Sequence, residues 1–122
     1  MEKLTIQEEE AMRAIWETEG GFIRDILANL QSTEEMPYTT LASTVRNLEK
    51  KGYVQAVKAG NAKRYEPLIS AKEYKGKFMN GFVGNYFHNS YKDMVSFFIK
   101  EERLSSAELE EILDMIKNNK SS

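Results

Sequence analysis

The stretch TTLASTVRNLEKKGYV, from Thr39 to Val54, constrains this chain more than any other. Leu41, Val45 and Leu48 recur at i, i+4 and i+7, the spacing of one buried stripe on a helix. The opposite face carries Thr39, Ser43, Arg46, Asn47 and Lys50, with no acid among them. Lys51 places a cation near the negative end of the helix dipole, and Gly52 tolerates the left-handed geometry that ends a helix. A helix anchored on one side and polar and basic on the other can lie in a DNA groove. The spacing therefore predicts a recognition helix.

Composition bounds what surrounds it. With 122 residues, 41% hydrophobic and 30% charged, the chain fits one or two small soluble globular domains rather than a disordered segment. No run reaches the ~18 apolar residues of a membrane span, and the charged start MEKLTIQEEE does not read as a signal peptide. The expected location is cytoplasmic, with no membrane partner. The absence of cysteine removes disulfides, thiolate metal sites and thiol catalysis together.

The net charge of −2 hides an asymmetry. Between residues 46 and 64, Arg46, Lys50, Lys51, Lys58, Lys63 and Arg64 face Glu49 alone, a local charge of +5. Residues 1–10 carry Glu2, Glu8, Glu9 and Glu10 against Lys3, a local charge of −3. A charge run by itself is ordinarily a solvated face. For a groove binder the local patch matters more than the total, because the nearest cations make the phosphate contacts.

In chain order, Thr5 and Glu8 form a capping box that starts a helix near Ile6. Met12, Ile15 and Trp16 make its buried stripe, with Trp16 a core anchor, and Gly20-Gly21 stops it. Phe22, Ile23, Ile26, Leu27 and Leu30 give a second helix, QSTEEMP reads as a loop, and the third helix begins at Tyr38 or Thr39 behind Pro37. Tyr53–Val57 then reads as a strand, Lys58–Ala62 as a turn and Lys63–Pro67 as the returning strand. Three helices followed by a basic-tipped hairpin is the order of a winged helix-turn-helix, here residues 1–69. In that geometry Tyr38, Thr39, Thr40, Ser43, Arg46, Asn47 and Lys50 reach the major groove or its edges. Lys58, Asn61, Lys63 and Arg64 of the hairpin contact phosphates, which set register but carry little sequence information.

From Ser70 the character changes. Ser70 and Glu73 form a second capping box, followed by Tyr74, Phe78, Phe82 and Tyr86 at every fourth position. Gly76, Gly81 and Gly84 weaken this helix by about 1 kcal/mol each relative to alanine, so a bend or break is expected near Gly84. Tyr91, Met94, Val95, Phe98 and Ile99 form a wide stripe on a further helix. Ser105 and Glu108 cap another, with Leu109, Ile112, Leu113 and Ile116 repeating the stripe, and the NNKSS tail is expected to fray. Residues 70–122 hold five of the six phenylalanines and three of the six tyrosines. A segment this short buries only about 60% of its unfolded surface alone. These stripes are therefore expected to pair with a second copy of the chain, making residues 70–122 a helical dimerisation domain; a self-contained three-helix cap is the alternative. The fold class is mainly α with a small β-hairpin.

Taken together, LTIQEEEAMRAIW, YTTLASTVRNLEKKGYV, AKRYEPLIS and ERLSSAELEEI resemble the penicillinase-repressor family, the BlaI/MecI type that also includes copper-responsive CopY. The resemblance runs from about Leu4 to Ile116. It implies a dimeric winged-helix repressor on a palindromic DNA operator, one recognition helix per half-site. CopY-type members sense copper through a cysteine cluster; this chain has none, which excludes that kind of metal sensing, and no cofactor is expected. The resemblance would bring in a sensor protease as a further partner. Alignment on ERLSSAELEEI, however, puts Phe97-Phe98 where the family has its Asn-Phe cleavage pair.

Other function classes find less in the sequence. A winged helix used only for binding proteins is the alternative, opposed by the +5 stretch and the acid-free helix face. An enzyme is not expected: His88 is the only histidine, and no G-x-S-x-G, H-E-x-x-H, P-loop or G-x-G-x-x-G occurs. The aromatic seam from Tyr74 to Phe98 could hold a small apolar effector, though such a stripe is more often plain core.

Overall fold

The computed structural model describes residues 2–30 and 36–119. Its elements run α1 (Ile6–Thr18), α2 (Ile23–Ala28), α3 (Tyr38–Lys50), β1 (Val54–Ala59), β2 (Ala62–Pro67), α4 (Ala71–Phe87), α5 (Tyr91–Lys100) and α6 (Ser106–Asn119). Two compact units divide the chain, Met1–Lys75 and Gly76–Ser122. The loop expected at QSTEEMP falls mostly on 31–35, outside the described residues.

In the first unit, α1 opens as its sequence dictates. The Thr5 hydroxyl accepts from the Glu8 amide at 3.1 Å, and the Glu8 carboxylate accepts from the Thr5 amide at 2.8 Å. Met12, Ile15, Ile26, Leu41, Val45 and Leu48 are fully buried, so α1, α2 and α3 share one core. At the end of α1, Gly20 has φ +89° and no room for a side chain: a Cβ there would lie 2.8 Å from the Tyr65 carbonyl oxygen. That close approach lets Gly21 and Tyr65 exchange backbone hydrogen bonds at 2.9 and 2.8 Å. The hairpin is thereby tied to the α1–α2 turn, a pairing the sequence pattern did not suggest.

The hairpin is tighter than expected. Lys58 and Ala59 continue β1 and Ala62 begins β2, leaving a two-residue turn at Gly60-Asn61. Gly60 has φ +63° and Asn61 does not share that sign, as a type II′ turn requires. Such a turn carries the right-handed strand twist to its tip, so pairing persists where a looser loop was expected.

The boundary between the units falls six residues later than the sequence suggested, inside α4. Its first turn packs on the first unit. The Trp16 indole donates to the Ile69 carbonyl at 2.9 Å, and the Tyr74 ring lies 5.6 Å from Trp16 and 6.0 Å from Tyr53.

In the second unit, α4 passes Gly76, Gly81 and Gly84 without a break and ends at Phe87. His88 and Asn89 take left-handed φ of 52° and 68°, and the Asn89 amide reaches back to the Val83 carbonyl at 3.1 Å. Gly84 makes space for this turn, since a Cβ on it would lie 3.0 Å from the Asn89 side-chain oxygen. The Ser90 hydroxyl caps α5 and Ser105 caps α6, accepting from the Asp93 and Glu108 amides at 3.0 and 3.1 Å. Asn118 and Asn119 belong to α6 instead of a frayed tail; residues 120–122 lie outside the described residues.

Candidate nucleic-acid interface

Helix α3 is held from behind and open in front. Leu41, Val45 and Leu48 have no exposed surface, and Thr44, also buried, donates its hydroxyl to the Thr40 carbonyl at 2.9 Å. Tyr38, Thr39, Ser43, Arg46, Asn47 and Lys50 are exposed and Thr40 is half-buried. Pro37 precedes the first turn and supplies no side-chain acceptor to it. The partly positive helix start thus favours an anion.

The other end of α3 is fixed firmly. The Tyr53 amide reaches the Leu48 carbonyl at 3.0 Å and the Gly52 amide the Glu49 carbonyl at 3.1 Å. These two bonds, with Gly52 at φ +85°, make a Schellman stop. Lys51, counted above among the basic stretch, turns away from the open face. Its ammonium donates to the Glu8 carboxylate at 2.7 Å and to the Lys3 carbonyl at 3.1 Å. Burial alone raises the Glu8 carboxyl. The bonds from Lys51 and Thr5 outweigh it and hold the group below its ordinary value. Lys51 therefore locks α3 to the start of α1.

On the hairpin, Val54, Ala56 and Lys58 share one face with Lys63, Tyr65 and Pro67. Its base, Val54 and Tyr65, is buried, while Lys58 and Lys63 at the tip are exposed directly opposite each other. Like charges so placed repel, and a phosphate bound by both would relieve that repulsion. Asn61 is exposed in the turn. Arg64 is on the other face, half-buried, 3.5 Å from the Glu19 carbonyl oxygen and 3.9 Å from the Glu66 carboxylate. Its guanidinium would have to leave Glu66 to reach a phosphate.

The aromatic and aliphatic stripes of the second unit meet little. Among its described residues only Val83 is buried. Phe82 stacks on Tyr86 and Phe87, at 5.1 and 5.8 Å, and Phe87 on Phe97 at 5.8 Å; Tyr91 bonds to Asn80. Met94, Val95, Phe98 and Leu109 are half-buried. Phe78, Tyr91, Ile99, Ile112, Leu113 and Ile116 are exposed, and Tyr86 is 71% exposed. Phe97 and Met115 join this open surface, though the sequence stripes omitted them. Phe97-Phe98 lies inside α5. Tyr74, of the expected interface set, belongs to the first unit, where its hydroxyl donates to Glu9 at 2.5 Å. Burial, and then the Glu9 carboxylate, push that hydroxyl above its ordinary pKa.

Among the described residues no group of three or more acids or histidines could hold a metal ion, and no helix is long and apolar enough to cross a membrane.

A helix with a polar, cationic outer face, braced behind and flanked by a lysine-tipped hairpin, defines a winged-helix DNA-binding regulator. The penicillinase repressor family model matches residues 4–118, and the chain belongs to that family. It is 23% identical to the methicillin resistance regulatory protein MecI of Staphylococcus aureus strain N315 over 114 residues, covering 93% of both chains. It is 24% identical to the penicillinase repressor of Bacillus licheniformis over 111 residues, covering 91% of this chain and 87% of that one. Among solved structures it is similar to the monomeric form of Bacillus licheniformis BlaI, in solution with the blaP half-operator. That match has TM-score 0.50 and 25% identity, and covers 60% of this chain and 89% of the other.

Proposed function

We propose that this protein is a homodimeric, sequence-specific repressor that acts in the cytoplasm on a palindromic operator. The observation that carries the reading is the outer face of α3: exposed hydroxyls, one amide and two cations mounted on a fully buried stripe. Arg46 is the residue for bidentate contact with guanine, and Asn47 suits adenine or a phosphate. Tyr38, Thr39, Thr40, Ser43 and Lys50 frame the base contacts, while Lys58, Asn61, Lys63 and, once released from Glu66, Arg64 hold the backbone. The half-operator complex of the similar BlaI supports duplex DNA as the partner.

The open apolar stripes of α5 and α6 support the dimer, since a second copy would remove them from water. A two-fold dimer presents α3 twice, with half-site centres about 34–36 Å apart or a multiple of that. Selection of bound duplexes from a random pool tests the whole reading. A palindrome with fixed spacing is the expected result. Enrichment of single half-sites would remove the dimer, and no enrichment would remove sequence recognition.

A further inference from the structure

Trp16, Tyr53 and Tyr74 pack their rings into the first unit and each spends its polar end on the protein. The Trp16 indole donates to the Ile69 carbonyl, the Tyr53 hydroxyl to the Glu2 carbonyl at 2.6 Å, and the Tyr74 hydroxyl to the Glu9 carboxylate. Tyr65 does not. It is only 7% exposed, yet its hydroxyl has no hydrogen-bond partner among the described residues, where no polar side-chain atom is buried without one. The hydroxyl therefore reaches water. The strand beneath it is fixed on both edges: Tyr65 lies opposite Ala56 on one side and exchanges backbone bonds with Gly21 on the other. Its side chain shares a hairpin face with Lys58 and Lys63, and Lys63 follows about 7 Å further out along the strand. The charged groups acting on the hydroxyl are Glu49 and Arg46 of α3, with Tyr38 beside them. Burial, and then Glu49, push it above its ordinary pKa, so at neutral pH it keeps its proton. A free O–H donor thus opens at the seam between α3 and the lysine tip.

We propose that the Tyr65 hydroxyl is a further DNA contact, donating a hydrogen bond to a backbone phosphate between those reached by α3 and by the hairpin tip. The inference rests on the reading above that these two elements bind duplex DNA. Tyrosine hydroxyls are among the side-chain groups that bond phosphate oxygens. Recessed as it is, this one does not project as Arg46 does, so it meets the backbone and not a base edge. Its ring is already buried, and fixing the hydroxyl on DNA costs little further side-chain entropy.

The test compares wild type with Tyr65→Phe, which keeps the buried ring and removes only the oxygen. Fluorescence anisotropy follows binding to the selected operator and to a random duplex at several salt concentrations, and urea unfolding follows stability. Affinity for both duplexes should fall about ten-fold, the effect of one hydrogen bond to a charged acceptor. The salt slope should stay as in wild type, because a neutral donor neutralises no phosphate, and the urea midpoint should not move, because no protein group loses a partner. Unchanged affinity would overturn the inference. A lower urea midpoint alongside the loss would mean a structural role, and a loss confined to the operator would mean an effect on base reading; either also overturns it. Should wild type bind neither duplex, the DNA-binding reading fails and takes this inference with it.

Discussion

Replacing Glu8 with alanine should destabilise the first unit far more than an acid on the first turn of a helix suggests. The residue is 4% exposed and serves two partners at once, the Lys51 ammonium and the Thr5 amide. Truncating one member of a buried, hydrogen-bonded ion pair costs about 3–5 kcal/mol. The Lys51 side chain keeps 19% exposure and the Lys3 carbonyl, so the relevant figure is the lower end or below, about 2 kcal/mol. Loss of half the capping box adds about 0.5–1 kcal/mol. The sum, about 3 kcal/mol, should lower the melting temperature by roughly 12–24 °C. A double-mutant cycle with Lys51→Met, read by urea unfolding, isolates the pair, with an expected coupling of about 2 kcal/mol. The acid response gives a second check. The Glu8 carboxyl lies below its ordinary 4.5 in the folded chain, so its contribution is present above that value and is lost as pH falls through the folded value. The gap between wild type and Glu8→Gln should therefore close below about pH 4.5. Coupling under about 0.5 kcal/mol would refute the claim that this bridge locks α3.

Three further outcomes follow from other parts of the molecule. Arg46→Ala should relax base preference at one position, by about 1–3 kcal/mol of discrimination, whereas Lys63→Ala should weaken all duplexes alike and flatten the salt slope by about 1; titrations on specific and random DNA separate them. Leu113→Glu changes a residue 48% exposed in the single chain, so light scattering should report monomers while circular dichroism stays helical. Gly20→Ala forces a methyl group to 2.8 Å from the Tyr65 carbonyl at φ +89° and should cost about 2 kcal/mol or more in urea unfolding.

Much of the fold was legible because its signals are short-range. Thr5 with Glu8, Ser70 with Glu73 and Ser105 with Glu108 each bond across three residues, and the structure has all three boxes. The α3 stripe and its open face are likewise set within four turns. Propensity misled where tertiary context competed with it. Gly84 weakens a helix, but here it gives Asn89 the space to end one, and Gly60-Asn61 alone closes the turn that the sequence pattern spread over Lys58–Ala62.

The sequence by itself determined the order of elements, the buried stripes of α1, α2 and α3 and the polar, cationic outer face of α3, because all of these repeat within a turn or two of chain. Tertiary structure alone decided which cations remain free. Lys51 and Lys50 are neighbours of identical chemistry, yet one meets Glu8, 43 residues away, and the other meets water. It decided equally that Tyr74 belongs with Trp16, 58 positions earlier, and that Gly21 pairs with Tyr65. Such contacts join residues that share no local pattern, and only the closing of the core brings them within reach.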